Sequence, residues 1–131
     1  MPHKGGRTLG YRVSDGSSVL AYLPDHCPTA LGPGPDGWGE YHPAAMALAA
    51  DADVLLHDAF ALPEELAAGA AFGHAAVDYA VGLAAAAGAR QVTLVHHRPD
   101  RTDADLDRLA ARMAAAPVPV IVGAEGTVLE L

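Results

Sequence analysis

Hydrophobic and polar positions change their spacing several times along the chain, and each change marks an element. Residues 8–13 (TLGYRV) and 18–23 (SVLAYL) are strand-like runs on either side of Ser14-Asp15-Gly16-Ser17. That tetrapeptide is turn chemistry, so 8–23 predicts a β-hairpin, which ends at Pro24-Asp25-His26. Residues 28–41 (PTALGPGPDGWGEY) have no period and are rich in Gly and Pro, which predicts a long loop. Pro43 suits the first turn of a helix to about Ala50. A short apolar run at 53–57 (DVLLH) predicts a buried strand. Pro63-Glu64-Glu65 opens a short helix near 63–69, with acids at its positive end. The clearest helix covers 75–87, where Val77, Ala80, Val81 and Ala84 repeat at spacings of three and four and Gly88 ends the run. Residues 91–95 (QVTLV) predict a strand. Thr102 and Asp105 form an acidic version of a capping box, opening a helix to about Ala115 with Leu106, Leu109 and Met113 on one face. Residues 118–122 and 127–130 are expected to close the chain as short strands.

The resulting order, a hairpin followed by α, β, α, α, β, α, β, β, is an α/β pattern with crossover helices. With 131 residues and neither internal repeat nor linker, a single domain over 1–131 is expected. Hydrophobic residues make up 51% and charged residues 18%, a globular balance. The net charge is -8, and only 8 Lys and Arg are scattered through the chain. A nucleic-acid partner and an acidic membrane surface both call for a basic stripe, which is lacking. The single cysteine, Cys27, excludes an intramolecular disulfide and fits a reducing compartment. No charged-then-apolar leader opens the sequence and no apolar run approaches membrane-spanning length, so a cytoplasmic location is expected.

The polar residues with chemistry gather at strand ends. The strand ending at Leu23 delivers Asp25 and His26, the one ending near Leu56 delivers His57 and Asp58, and the one ending at Val95 delivers His96 and His97. Open α/β sheets bind ligands beyond the carboxyl ends of their strands. His and Asp are ligands for Zn²⁺, Mn²⁺ or Fe²⁺, and an Asp can bridge two ions that together activate water and stabilise an oxyanion. Polar residues also collect at strand ends simply because those ends are exposed. Spacing alone leaves both readings open.

An ordered set of segments goes further. Residues 3–12 (HKGGRTLGYR), AYLPDHCPTALGPGPDG, LLHDAF, GHAAVDYAVGLAAAAGA and TLVHHRPDRTDADLD together resemble the C-terminal part of metallo-β-lactamase-fold hydrolases. The resemblance is to the branch near tRNA-processing ribonuclease Z and phosphodiesterase-like members. It implies the C-terminal half of an αββα sandwich, a mixed sheet with flanking helices. It also implies metal-ligand positions at His3, Asp25 and His96, with Asp25 bridging two ions and the two histidines serving different ones. Asp58 and His74 correspond to a carboxylate-oriented general acid, an arrangement that raises a His pKa. His97 corresponds to a supporting or surface position. His57 is expected on the opposite face of its strand from Asp58, and His26 and His42 carry no metal role. Trp38 is expected to pack its loop down. The chain departs from the family pattern at Pro24, where Thr or Gly precedes the Asp, and at Ala75 and Ala76, where small hydroxyl residues follow the His. The spacing from His3 to the Gly10-Tyr11 strand is about one residue long.

The defining His-x-His-x-Asp-His motif does not occur in the sequence. The resemblance therefore implies weak or absent binding of Zn²⁺ (or Mn²⁺ or Fe²⁺) by the isolated chain. Half a sandwich also leaves an apolar sheet face to be covered, by a second copy in a homo-oligomer or by a separate N-terminal half. The functional expectation is hydrolysis of phosphodiester or related ester bonds in a small-molecule substrate, once a partner half is present. The competing expectation is a non-catalytic interaction module or truncated remnant that dimerises through its sheet face.

Overall fold

The computed structural model describes residues 1–131. Short strands β1 (Pro2–His3) and β2 (Gly6–Arg7) pair as a small antiparallel hairpin of their own. The main sheet holds β3 (Tyr11–Ser14), β4 (Val19–Leu23), β5 (Val54–Asp58), β6 (Val92–Val95) and β7 (Val120–Val122), in that spatial order. β3 runs antiparallel to β4, and the remaining pairs are parallel. The helices are α1 (Pro43–Ala49), α2 (Leu66–Phe72), α3 (Val77–Ala87) and α4 (Asp103–Met113). None is long and apolar enough to cross a membrane.

Register assigns each strand residue to a face. Ala21, Leu23, Leu55, His57, Val92 and Leu94 share one face and are buried. The core against them comes largely from α1 (Ala45, Ala49) and α3 (Val77, Tyr79, Ala80, Leu83, Ala84, Ala87). Small side chains let these layers sit close. A Cβ at Gly82 would stand 2.5 Å from the Tyr41 hydroxyl oxygen. Both helices have defined ends: the Ala44 N–H donates to His42 Nδ1 at the start of α1, and Gly88 (φ 73°) closes α3 in the left-handed region.

The other face of the sheet carries Tyr11, Val13, Leu20, Tyr22 and Leu56 and has no helix layer. Tyr11, Val13 and Tyr22 are 53%, 59% and 38% exposed. Only its far side is covered, where Thr127 and Leu129 of the C-terminal tail lie with Leu56, Thr93 and Val95. The sheet face that half a sandwich was expected to bare is thus open over β3 and Tyr22, while Val54 and Thr93 further along it are buried.

Several boundaries differ from the sequence expectation. The first hairpin strand begins at Tyr11 rather than at 8, after Gly10, where a Cβ would meet the side-chain ends of Leu48 and Met1 at 2.6 and 2.9 Å. α3 begins at Val77, since Ala75 and Ala76 are tied instead to Ala61. The Ala61 N–H donates to Ala75 O (3.1 Å) and the Val77 N–H to Ala61 O (2.9 Å). The long loop contains one 3-10 turn, Pro28–Leu31, and Trp38 packs against the core as expected. The expected strand at 127–130 does not form. A turn at Thr127, whose N–H donates to Ala124 O, takes this segment out of the β6–β7 ladder.

Candidate metal and hydrolytic centre

β4, β5 and β6 are parallel neighbours, so their carboxyl ends open on one edge of the sheet. Asp25 follows β4, Asp58 ends β5 and His96 follows β6. His74 reaches the same edge from the turn after α2, which Gly73 (φ 92°) closes in the left-handed region. His3 arrives from the N-terminal hairpin. Hydrogen bonds hold this segment in place: the Cys27 N–H donates to Pro2 O (2.9 Å) and the Thr8 N–H to Met1 O (3.0 Å). All five residues singled out from the sequence meet here, as two overlapping groups spaced to hold a metal ion: His3, Asp25 and His74, and Asp58, His74 and His96.

Asp58 is the anchor. It is fully buried, and its Oδ2 accepts from His74 Nδ1 (2.8 Å) and from the backbone N–H of His26 (3.3 Å) and Ala75 (3.4 Å). Its Oδ1 accepts from the Phe60 N–H at 3.0 Å. The hydrogen bond to this carboxylate raises the His74 pKa above its ordinary value. The charges of Asp58 and Asp25 act in the same direction, against burial and Lys4. Asp25 lies on the open side, with Oδ1 3.8 Å from His74 Nδ1 and 3.3 Å from His96 Nδ1.

The imidazoles share one pattern. His3 Nδ1 lies 2.7 Å from Gly73 O, His74 Nδ1 lies 2.8 Å from Asp58 Oδ2 and His96 Nδ1 lies 2.7 Å from Pro24 O. A carbonyl only accepts, so Nδ1 carries the proton in His3 and His96 and Nε2 keeps its lone pair when the ring is neutral. A metal-ligating histidine is commonly fixed in this way. Imidazole and carboxylate donors of this kind suit divalent cations of intermediate hardness, but His3 and His96 fall in different groups and do not form one site with Asp25. His74 belongs to both groups, and its Nδ1 is held by the Asp58 carboxylate, which raises its pKa. His96 is also held at φ 57°, an uncommon backbone state for a side-chain-bearing residue.

The neighbouring histidines stay out of this cluster. His57 points to the helix-covered face, where its Nδ1 donates to Asp58 O (2.7 Å) and burial lowers its pKa. His97 turns toward Gly123 O, 3.2 Å from its Nε2. His42 caps α1. His26 is fully buried, with Nε2 2.9 Å from the Tyr79 hydroxyl, which donates to Glu40 O. This contact braces the turn that carries Asp25. Sequence reasoning missed that support and also Phe60, whose ring stacks on His74 at 4.6 Å and 21°. The one available signal was that Phe60 follows Asp58 by two residues.

No protein-family model and no curated protein matches the sequence. Solved structures do match. The metallo-beta-lactamase fold protein YhfI from Bacillus subtilis aligns with a TM-score of 0.64 and 20% identity, over 88% of this chain and 41% of that one. The short form of human tRNase Z gives 0.65 and 17%, over 92% and 36%. A diphosphatase from the PhnP family gives 0.65 and 19%, over 96% and 39%. The chain has the architecture of part of the metallo-β-lactamase fold. It spans about two-fifths of the length of the solved structures it matches.

Proposed function

We propose that this chain is the metal-binding and proton-donating part of a metal-dependent hydrolase of phosphodiester or related ester bonds. A second half completes the enzyme by packing on the open sheet face, and a second copy of the chain covers that face when the other half is absent. The observation that carries the reading is the cluster itself. His3, Asp25 and His74 form one group spaced to hold an ion and Asp58, His74 and His96 another, and the Asp25 carboxylate lies between His74 and His96.

Asp25, His3 and His96 would contribute to two cation positions, His3 to one and His96 to the other, with zinc first and manganese or iron as substitutes. The cation supplies Lewis acidity and nucleophile activation when bound. The remaining work falls to the chain's own groups. Asp58 holds the His74 ring by Nδ1 and raises its pKa, which favours the protonated ring that can give a proton to a departing alkoxide oxygen. Phe60 covers one face of that ring and shields it from water. Reactions producing a poor alkoxide leaving group gain most from such an acid, which favours phosphodiesters and esters among substrates. The diphosphatase and tRNase Z of similar fold are consistent with this substrate class.

Zinc titration by calorimetry tests the proposal. The chain alone is expected to take up zinc weakly, with uptake abolished in Asp25→Ala. Adding a half that carries a His-x-His-x-Asp-His motif is expected to tighten binding. No uptake with or without that half would sink the hydrolase reading and leave a non-catalytic interaction module.

A further inference from the structure

Three consecutive residues after β4 all touch the centre. His96 Nδ1 donates to Pro24 O (2.7 Å), and Asp25 Oδ1 lies 3.3 Å from His96 Nδ1 and 3.8 Å from His74 Nδ1. The His26 N–H donates to Asp58 Oδ2 at 3.3 Å. The position of this turn therefore sets the position of the cluster. A shift of the turn would move Asp25 away from two histidines and withdraw a donor from Asp58 in one step.

The side chain of His26 fastens the turn to α3. The ring is fully buried and burial lowers its pKa, so it is neutral and carries one N–H. The Tyr79 hydroxyl donates to Glu40 O (3.2 Å), so its oxygen accepts from His26 Nε2 at 2.9 Å. His26 Nδ1 then keeps a lone pair that meets no group in the chain. A buried polar atom without a partner costs stability, so an apolar side chain would serve the core better here. What the histidine adds is its bond to Tyr79. Tyr79 is itself held firmly: it is buried on α3, with the Tyr41 ring 5.5 Å from its own.

We propose that Tyr79 and His26 are positioning residues of the centre. The Tyr79 hydroxyl, held by Glu40 O at the end of the long loop, fixes the His26 ring. The ring fixes the turn, and the turn places Asp25 between His74 and His96 while keeping a donor on Asp58. Both residues act through Asp25 and Asp58 rather than on a substrate. Their effect on metal uptake rests on the hydrolase reading, whereas the placement of the turn does not.

Amide hydrogen exchange and zinc calorimetry on the full chain test this, in the wild type, Tyr79→Phe, His26→Gln and His26→Leu. Tyr79→Phe removes only the hydroxyl, and His26→Gln keeps an N–H that can donate to it. The Leu83 amide, inside α3, reports the stability of the whole fold. Relative to it, the His26 amide should exchange about ten-fold faster in Tyr79→Phe and His26→Leu, the effect of losing one hydrogen bond. His26→Gln should restore the wild-type ratio. Zinc affinity should follow the same order, falling about ten-fold in Tyr79→Phe and staying near the wild type in His26→Gln. A purely structural role would speed both amides together, and that unchanged ratio would overturn the proposal. So would a His26→Gln variant no better than His26→Leu, or zinc affinity in Tyr79→Phe equal to that of a zinc-binding wild type. No zinc uptake by the wild type, with or without the other half, removes the hydrolase reading, and the exchange ratio alone then decides whether Tyr79 and His26 place the turn.

Discussion

Asp58 is fully buried, and its one side-chain partner is the His74 imidazole, with no Lys or Arg beside it. The carboxylate is satisfied by three backbone N–H groups and one imidazole, so the ion is held by donors rather than by water. Because the folded-state pKa of His74 is raised, its protonation stabilises the fold. That contribution is fully present below the unfolded value near 6.5 and is lost as pH rises through the higher folded value. His74 ring resonances in a pH titration should therefore show a midpoint above 6.5 in the wild type. In Asp58→Asn the midpoint should fall, and the stability gap between the two proteins should shrink as pH rises through the wild-type midpoint. An unchanged midpoint would dissolve the pair as an acid. At this scale the sequence was informative where chemistry sits on a strand end: Asp25, Asp58 and His96 could be placed because an apolar strand precedes each. Phe60 over His74 and Tyr79 against His26 were hidden, since each pair joins residues whose proximity only packing decides.

Among the elements, α4 owes most to its own sequence. Thr102 accepts from the Asp105 N–H (3.2 Å) while the Asp105 carboxylate accepts from the Thr102 N–H (2.9 Å), the reciprocal cap expected from the spacing. Leu109 and Met113 are its buried face. Thr102→Ala should cost about 1 kcal/mol, read as a lower urea midpoint with an unchanged slope. A loss much smaller than this would mean that packing against β7, not the cap, sets where α4 begins. α3 illustrates the opposite case. Its apolar period extends back to Ala75, but Ala76 lacks a capping oxygen and the preceding backbone finds partners on Ala61. The apolar residues of 127–130 likewise could not reveal that they would lie across the sheet instead of extending it. Alternation and apolarity report which residues seek cover, not which neighbour provides it.

For the whole molecule, the decisive asymmetry is that helices build the core on one face of the sheet only. Tyr11, Val13 and Tyr22 lie together on the other, cross-strand neighbours by register, with Leu20 and Leu56 beside them. β3 is an edge strand, so this patch is continuous with an unpaired backbone edge, a combination that favours association. The matched solved structures are more than twice as long as this chain. The proposal that a second copy covers this face in the absence of the other half predicts twice the single-chain mass by light scattering. Val13→Lys combined with Tyr22→Lys should reduce that to one chain. The thermal midpoint measured at a concentration where both proteins are monomeric should barely change, because neither side chain is buried in the single chain. A wild type that stays monomeric at high concentration would remove the homo-oligomer. Zinc uptake dependent on the added half would then leave that half as the occupant of this face.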